Sequence, residues 1–346
     1  MPERLKWAVL GSGGIARRRT IPEGLAPASN ATLAMVYDID QRANQDVARQ
    51  FGAVAAASID QVLASDVDCV YVATPAYLHY EQALACFRAG KHTLCEKPLG
   101  MSVAETETMV RSAAEAGVRL GTAFMMRFHA QHQAALKLIQ DGRLGQPVYG
   151  RAQLSCWYPP MEGAWRQVKA QGGGGSLIDM GSHCIDLLEM FFGPVAKVSC
   201  FVNNTVHAYE TEDSAVAMLS FRNGALGTVD AFFCTPDAGS RNVLELYGSR
   251  GSILAQGTIG QGAGGVMTAH LEGGAAGYEA SQTRGQTGGV EITAPPVNLY
   301  RAEIEEFSQA ILEGRPSSLT GEAGLHSQTI LAACYESAKS GKSIAL

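Results

Sequence analysis

The chain has 346 residues, of which 46% are hydrophobic and 17% charged, so collagen-like, coiled-coil and low-complexity proteins are excluded. The formal net charge is −6 and no dense run of lysine and arginine occurs, which argues against nucleic acid or an anionic membrane as a partner. Because this length exceeds that of a usual single-core domain, we expect two domains.

The apolar segments and the cysteines indicate the compartment. No cleavage-site pattern follows the first apolar stretch, and no uncharged apolar run is long enough to cross a bilayer. Eight cysteines lie in apolar contexts without a CxxC pair or a regular spacing, which is typical of reduced core thiols. We therefore expect a soluble cytoplasmic protein without a membrane partner, disulfides or a zinc site.

The first third of the chain alternates short apolar runs with amphipathic stretches, the pattern of βαβ units. The predicted strands are residues 7–10, 32–37, 69–73, 92–95 and 119–124. The predicted helices are residues 15–26, 42–51, 59–64 and 80–89. We interpret residues 1–123 as one α/β domain with a doubly wound parallel sheet, an architecture that binds nucleotides.

Beyond that boundary, strands follow one another without intervening helices. The predicted strands are residues 148–157, 196–203, 214–221, 224–233, 243–247 and 252–255. Helices predicted at residues 130–141, 177–192, 299–313 and 322–339 would cover one face of the resulting sheet. We expect residues 124–346 to form an α+β domain with a large, mostly antiparallel open sheet. Residues 256–291 are glycine-rich and aperiodic, and we interpret them as a mobile loop or irregular hairpin without assigned chemistry.

The opposite face of that sheet also needs a cover. Solvent is one alternative, but apolar residues in the alternating strands favour self-association of this face. The residues concerned are Phe201, Leu219, Val229 and Phe232. We expect a homodimer or homotetramer formed through the second sheet.

A glycine-rich turn follows the first predicted strand and opens the first predicted helix. It reads Gly11-Ser12-Gly13-Gly14-Ile15-Ala16, a G-x-G-x-x-A pattern in the strand–turn–helix context of the dinucleotide fingerprint. Gly11 permits the tight turn, and Gly13 allows the backbone to approach a pyrophosphate at the helix N-terminus. A plain glycine turn is the alternative, but an acid at the end of the second strand supports dinucleotide binding.

That acid is Asp38, which also indicates the kind of dinucleotide. A carboxylate accepts hydrogen bonds from the adenine ribose hydroxyls and repels the additional phosphate of NADP. The sequence therefore predicts NAD as the cofactor. Arg42 lies close enough along the chain to tolerate that phosphate, so NADP stays open; its alternative role is that of a solvated helix residue.

Two short motifs end neighbouring parallel strands, where open α/β sheets bind ligands. Thr74-Pro75 follows one strand and Glu96-Lys97-Pro98 follows the next. The Lys97 ammonium can polarise a substrate oxygen and favour its deprotonated form. A surface lysine is the equally weighted alternative.

A third motif places four glycines, residues 172–175, directly before an amphipathic helix that carries Asp179 and His183. On a helix this spacing of four stacks both side chains on one face, where the carboxylate can orient and stabilise the imidazole of a general acid–base. Asp186 can join the same face. The alternative is a surface hydrogen bond, and a metal site is a weaker reading because the motif offers a single histidine.

Taken together, these motifs resemble the Gfo/Idh/MocA oxidoreductases over nearly the whole chain. The matching segments are the G-x-G-x-x-A turn, A-G-K-x-x-x-x-E-K-P at residues 89–98, Trp165-Arg166, and the G-G-G…D-x-x-x-H-x-x-D segment. The resemblance implies a Rossmann domain at residues 1–123 and a substrate-binding and oligomerisation domain at residues 124–346. It implies Lys97, Asp179 and His183 as catalytic residues.

The resemblance also assigns the cofactor residues and the reaction. It implies cofactor contacts from Gly11, Ser12, Gly13, Gly14, Ile15, Asp38, Thr74, Pro75, His79, Glu96, Lys97, Trp165 and Arg166. It implies hydride transfer between a nicotinamide and a ring hydroxyl or ketone of a sugar, anhydrosugar or cyclic polyol, without a metal. Residues 158–160 and 120–122 are similar to the anhydrofructose reductases, which prefer NADPH, and Asp38 departs from that subgroup.

Two alternatives to a redox enzyme remain. Some relatives of this fold cleave glycosides through a transient oxidation by NAD, and a hydrolase of that kind would carry the same lysine and histidine. A dinucleotide-sensing regulator is less favoured, because it needs no intact Lys97, Asp179 and His183.

Overall fold

The computed structural model describes residues 4–271 and 288–346. Its first sheet is parallel and has six strands in the order β3-β2-β1-β4-β5-β6. The strands are β1 (Leu5–Leu10), β2 (Ala31–Tyr37), β3 (Val54–Ala55), β4 (Cys69–Val72), β5 (His92–Cys95) and β6 (Leu120–Thr122). The strand order reverses between β1 and β4, which opens a ligand crevice at their carboxyl ends.

Helices cover both faces of this parallel sheet. They are a π-helical segment (Ala16–Leu25), α1 (Gln41–Phe51), α2 (Ile59–Leu63), α3 (Ala76–Arg88) and α4 (Val103–Glu115). Local chemistry sets their ends: the Asp40 side chain accepts hydrogen bonds from two backbone amides of the first turn of α1, and Gly52 ends the helix at a φ of 67°.

The second sheet has nine strands in the order β14-β13-β12-β11-β7-β10-β9-β8-β15. The strands are β7 (Pro147–Ser155), β8 (Val195–Asn203), β9 (Ser214–Phe221), β10 (Leu226–Phe232), β11 (Val243–Gly248), β12 (Gly251–Gln256), β13 (Val266–Leu271), β14 (Val290–Glu291) and β15 (Ile344–Ala345). Strands β7 and β10 pair in parallel and the other neighbours pair antiparallel. The predicted fold class is confirmed.

The remaining helices are α5 (Ala130–Gln140), α6 (Lys169–Gly172), α7 (Ser182–Phe192), α8 (Leu299–Leu312) and α9 (Gly321–Ser340). A π-helical segment (Leu177–Gly181) precedes α7, and 3₁₀ turns lie at Met125–Phe128, Trp165–Gln167 and Asp237–Gly239. The described helices include none long and apolar enough to cross a membrane.

Helix α8 packs differently from the prediction. We expected it to cover the second sheet, but most of its buried face joins the core of the first: Phe307 packs edge-on against Trp7 at 5.9 Å, and Ile304 lies in the same cluster. The Trp7 indole also donates a hydrogen bond to Ser308 Oγ at 3.1 Å. Amphipathic spacing indicates a buried helix face without indicating which sheet buries it.

The prediction for the uncovered face of the second sheet was half wrong. Leu219 and Val229 are buried at 2% and 0% exposure on the inner face, because they alternate with Met218 and Thr228 along their strands. Phe201, which pairs with Val216, is 74% exposed on the outer face. Phe232, which alternates with the buried Ala231, lies on the outer face as predicted. Alternation was visible in the sequence, but Leu219 and Val229 were assigned to the wrong face.

The glycine-rich segment 256–291 is more regular than expected where the structure describes it. Strand β13 pairs antiparallel with β12, and β14 pairs with β13, so the segment extends the second sheet. Its glycines obscured the strand periodicity. Residues 272–287, on which part of that prediction falls, lie outside the described residues.

Helix α8 also buries a carboxyl group, Glu303, at 1% exposure, with no hydrogen-bond partner for either oxygen among the residues described. Burial, with the nearby Glu96 carboxyl, raises the pKa of Glu303 well above its ordinary value. Above the ordinary glutamate pKa, the folded state therefore retains a proton that the unfolded chain releases. The free energy of unfolding falls as pH rises through this range.

Glu303→Gln is expected to raise the melting temperature more at pH 8 than at pH 5. As pH rises, the free energy of unfolding of the wild type falls by up to about 1.4 kcal/mol per pH unit through this carboxyl group, whereas the amide of the variant does not titrate. Calorimetric scans across that range measure the difference, with the exposed Glu107→Gln as the matched control. An increase in melting temperature that is the same at every pH would contradict the burial of an ionisable Glu303.

Candidate active site

The glycine turn after β1 packs directly on the end of β4. Gly11 has a φ of 84°, and a Cβ there would lie 2.8 Å from backbone atoms of Ala73 and Thr74, so a larger residue does not fit. The Gly11 amide donates to Tyr37 O at 2.8 Å, which fixes the turn against the end of β2. The turn therefore brings the ends of three strands together at the crevice.

Asp38 closes the other side of this turn. Its Oδ2 accepts a 2.8 Å hydrogen bond from the Gly13 amide, and its Oδ1 accepts one from the Asp40 amide at 3.0 Å. The half-buried carboxylate thus lies beside the fingerprint backbone, where an adenine ribose would meet it. Ser12 is fully buried and its hydroxyl donates to Asn44 Oδ1 at 3.2 Å, so it offers the crevice backbone and not side chain.

His79 joins the two motifs that end β4 and β5. Its Nε2 lies 2.8 Å from Thr74 O and its Nδ1 lies 2.8 Å from Pro98 O. The buried neutral imidazole donates to one of these two carbonyls and lies against the other, so it packs between the backbone segments on either side of the crevice, next to Lys97. Burial lowers the pKa of His79 despite these two acceptors.

Lys97 joins the end of β5 to the π-helical segment Leu177–Gly181. Its Nζ donates to Asp179 O and to Asp179 Oδ1, both at 2.7 Å, and its side chain is 8% exposed. The Arg166 Nε lies 3.0 Å from the same Oδ1. Burial acts to raise the pKa of Asp179, but the charges of Arg166 and Lys97 outweigh it and hold that pKa well below its ordinary value. One carboxylate therefore fixes two cations.

The predicted hydrogen bond between Asp179 and His183 was wrong. The Asp179 carboxylate is held by Lys97 and Arg166, and no hydrogen bond joins it to His183 in the described residues. His183 Nδ1 is buried and meets no hydrogen-bond partner in the described parts of the chain. Burial and the Lys97 charge lower the pKa of His183 well below its ordinary value, so the imidazole is neutral at neutral pH.

Asp186 also departs from its predicted place beside this pair. It is 3% exposed and accepts from Arg127, whose Nε lies 2.9 Å from Oδ2. Its carboxylate is therefore engaged in an ion pair with Arg127, and no hydrogen bond joins it to His183 in the described residues.

A cavity of about 540 Å³ lies between the two sheets and unites most of these side chains. The expected residues in its lining are Gly14, Ile15, Thr74, His79, Glu96, Lys97, Trp165, Arg166, Asp179 and His183. Gly11, Ser12, Gly13, Asp38 and Pro75 lie outside that lining, in the turn, at the end of β2 and at the start of α3. The catalytic candidates thus share one cavity with the glycine turn.

Sequence reasoning missed part of the cavity wall. The additional residues include Arg18, Met125, Met126, Leu154, Cys156, Met180, Gly260, Gln261 and Tyr300. Most belong to no motif, and apolar residues of this kind read as core in a sequence. Gly260 and Gln261 come from the segment to which we assigned no chemistry, and Arg19 donates a hydrogen bond to Gln261 O across the two halves.

The neutral His183 determines how kcat/KM is expected to depend on pH. Because burial and Lys97 lower its pKa, the base form persists below the ordinary histidine value of about 6.5. A reaction that uses His183 as a base is expected to keep its kcat/KM from pH 8 down to about 6.5 and to fall at more acidic pH. A pH–rate profile from pH 5 to 9 measures this.

The matched control is His326→Gln, because the hydrogen bond to Glu189 raises the pKa of His326 and this histidine lies outside the cavity lining. The profile of that variant is expected to match the wild type. An acid limb that begins above pH 7 in both proteins would contradict a buried, neutral base.

Comparisons with known proteins agree with this geometry. The model described as "Oxidoreductase family, NAD-binding Rossmann fold" matches residues 5–124, and the model described as "GFO/IDH/MocA C-terminal domain" matches residues 132–254. The chain is 30% identical to 1,5-anhydro-D-fructose reductase of Ensifer adhaerens over 97% of both proteins. It is 28% identical to trans-1,2-dihydrobenzene-1,2-diol dehydrogenase of Mus musculus over 73% of this chain and 74% of that protein.

A solved structure of similar fold covers nearly the whole chain. The structure of aldose-aldose oxidoreductase from Caulobacter crescentus complexed with glycerol superposes with a TM-score of 0.88 at 27% sequence identity. The match covers 99% of this chain and 100% of that chain, so both sheets and the cavity between them are included.

Proposed function

The chain belongs to the Gfo/Idh/MocA family of NAD-binding oxidoreductases, and on that premise we propose that it transfers a hydride between a nicotinamide cofactor and a ring hydroxyl or ketone of a sugar, anhydrosugar or cyclic polyol. The observation that carries the proposal is the Lys97–Asp179–Arg166 ion cluster beside neutral His183, in the cavity that the glycine turn borders. The relatives named above act on small cyclic or polyhydroxyl compounds by name, which supports the substrate class.

The residues present fit a dinucleotide. The Gly11 turn leaves no space for a side chain against β4, and the Asp38 carboxylate lies beside the Gly13 amide, as binding of a pyrophosphate and a ribose requires. Thr74, Glu96, Trp165 and Arg166 would border the nicotinamide end. When bound, the nicotinamide supplies the hydride acceptor or donor at C4.

The chain's own residues move the proton. In the oxidative direction neutral His183 takes the proton of the reacting hydroxyl, and the Lys97 ammonium stabilises the negative charge that develops on its oxygen. Asp179 holds Lys97 in place through two hydrogen bonds, and the Arg166 guanidinium forms an ion pair with the same carboxylate. In the reductive direction the same groups act in reverse.

The test is reduced-nicotinamide absorbance in mixtures of the purified protein, NAD or NADP, and a panel of monosaccharides, anhydrosugars and inositols. We expect net NADH formation that depends on substrate and is lost in His183→Asn. A glycosidase that oxidises transiently would recycle the cofactor, so glycoside cleavage without net NADH would overturn the proposal in favour of that alternative.

We further propose that a second copy of this chain covers the outer face of the second sheet. Strand register pairs Phe201 with Val216 on β8 and β9 and pairs Leu226 with Tyr149 on β10 and β7, so the outer face carries two apolar pairs. Met218, at 55% exposure, lies between these rows. An exposed apolar face of this extent is typical of a protein interface.

Light scattering of the wild type is expected to give a dimer or tetramer, and the double variant Phe201→Glu, Met218→Glu is expected to give monomers because it places charges in the buried centre of the interface. A wild type that is monomeric at micromolar concentration would contradict this assembly.

A further inference from the structure

We propose that Glu212 is a positioning residue for hydride transfer, because its buried carboxylate holds the start of the helical run 177–192, which carries Asp179 and His183. This inference rests on the proposed function, since the reaction needs those two side chains in place. The supporting observation is a set of three hydrogen bonds that all end on one carboxylate oxygen.

The Glu212 carboxylate lies against the glycine run that opens this helix. Its Oε1 accepts hydrogen bonds from the Gly175 amide at 2.9 Å, from the Leu177 amide at 3.0 Å and from the Tyr335 hydroxyl at 2.8 Å. Glu212 is 6% exposed, so water competes little for these donors. Amides at the start of a helix have no partner within it, and a carboxylate placed there is stabilised by the helix dipole. One buried oxygen therefore fixes three groups.

The backbone of Glu212 holds the same turn. Its carbonyl oxygen accepts a hydrogen bond from the Ser176 amide at 3.0 Å. A Cβ on Gly175 would overlap that oxygen, and a Cβ on Gly174 would overlap the Tyr335 hydroxyl. These two glycines therefore permit the close packing that brings Glu212 onto the start of the helix.

A short hydrogen-bonded path connects this contact with the ion cluster. The Gly175 carbonyl accepts from the Asp179 amide at 3.0 Å. Asp179 accepts from Lys97 Nζ through its carbonyl and carboxylate oxygens, both at 2.7 Å. His183 lies about one turn further along the same helical run. The hold of Glu212 on the helix start therefore sets where Asp179 and His183 lie relative to Lys97, which follows β5 of the first sheet.

The residue next to Glu212 holds the other cation of this cluster. Thr211 Oγ1 donates to Arg166 O at 2.9 Å, and Arg166 Nε lies 3.0 Å from Asp179 Oδ1. Two consecutive residues thus bind the backbone that carries Arg166 and the helix that carries Asp179. This double contact fixes both partners of the ion pair from one segment of the chain.

Two variants separate the length of the Glu212 side chain from its charge. Glu212→Gln keeps an oxygen that can accept from both amides, so kcat is expected to stay within about fivefold of the wild type. Glu212→Asp keeps the charge but is one methylene shorter, so the helix start is expected to shift. Because a displacement of about 1 Å at reacting groups can cost about a hundredfold in rate, we expect kcat to fall by about tenfold to a hundredfold.

The experiment measures kcat and KM with NAD and a substrate of the panel for the wild type and both variants, per site counted by fluorescence titration with NADH. A residue that only stabilises the fold would leave kcat per folded site unchanged. The loss in Glu212→Asp is expected in kcat, with KM within about threefold of the wild type. Equal kcat per site in all three proteins would overturn the inference. A loss in Glu212→Gln as large as in Glu212→Asp would also overturn it, because charge would then be responsible.

Amide hydrogen exchange followed by mass spectrometry gives a readout that needs no turnover. Peptides that cover residues 175–183 are expected to exchange about tenfold faster in Glu212→Asp than in the wild type or in Glu212→Gln. Unchanged exchange in Glu212→Asp would overturn the inference and leave the proposed function intact. A wild type that forms no NADH with any compound of the panel would overturn the proposed function, and exchange would then decide whether Glu212 holds the helix.

The matched control is Glu210→Gln. Glu210 lies two residues from Glu212, is exposed, and accepts a backbone hydrogen bond from the Lys169 amide at 2.8 Å. Its kinetic constants and its exchange at residues 175–183 are expected to equal those of the wild type. Losses of the same size in Glu210→Gln and Glu212→Asp would contradict a specific role of the buried carboxylate.

Discussion

Lys97→Met is expected to lower kcat/KM about a thousandfold while the protein remains folded and binds NAD. The ammonium is the cation that meets the developing charge on the substrate oxygen, and a donor of this kind contributes about a hundredfold to a thousandfold to kcat. Removing it also leaves Asp179 with Arg166 as its remaining cation partner. The loss is therefore expected mainly in kcat, with little change in KM.

Steady-state NADH formation and a fluorescence titration with NADH together test this prediction. The control is Lys137→Met, because Lys137 is 74% exposed and pairs with Asp141 on the surface. Its kinetic constants are expected to equal those of the wild type. If Lys97→Met kept more than a tenth of the activity, Lys97 would be a cofactor or packing residue and the mechanism would be wrong.

Asp38→Ser is expected to raise the ratio of kcat/KM with NADP to that with NAD by about a hundredfold. The carboxylate accepts from the Gly13 amide, at the position where the ribose of the adenosine half binds, and it would meet an additional phosphate at close range. A like-charge contact of that kind costs several kcal/mol, which corresponds to a hundredfold or more.

Asp40→Ser is the matched control, since Asp40 caps α1 through its side chain and serine is an equally good N-cap. Both variants remove one negative charge from the same loop, but only the Asp38 change is expected to alter the cofactor ratio. An equal shift in both variants would indicate a general charge effect, and no shift in either would contradict the assignment of Asp38 to the ribose.

Much of the fold could be predicted because the hydrophobic periods are clear. The strand Ser214–Phe221 was predicted with its observed bounds, and helices α5 and α8 within one residue at each end. The short β3, Val54–Ala55, was missed because two residues carry no period. The packing of α8 against Trp7 was missed because a helix pattern does not specify its long-range partner.

The candidate site was predictable where function demands a special residue. Gly11 and Lys97 stand in motifs whose spacing relates directly to a turn or to a strand end. The relation between Asp179 and His183 was not predictable from helical spacing, because the Asp179 carboxylate is taken up by Lys97 and Arg166, which come from distant parts of the chain. Met180 in the wall was missed because an apolar residue in a cavity reads as core.

The most direct test of hydride transfer is the fate of the hydrogen on the reacting carbon. The wild type is incubated with NAD and a cyclic alcohol of the panel that is deuterated at the carbinol carbon, and the NADH formed is examined by mass spectrometry. We expect NADH that carries one deuterium, in proportion to the ketone formed, and about a thousandfold slower formation of this NADH with the Lys97→Met protein. Turnover of the alcohol that leaves NADH unlabelled, or produces none, would contradict hydride transfer to the nicotinamide at this site.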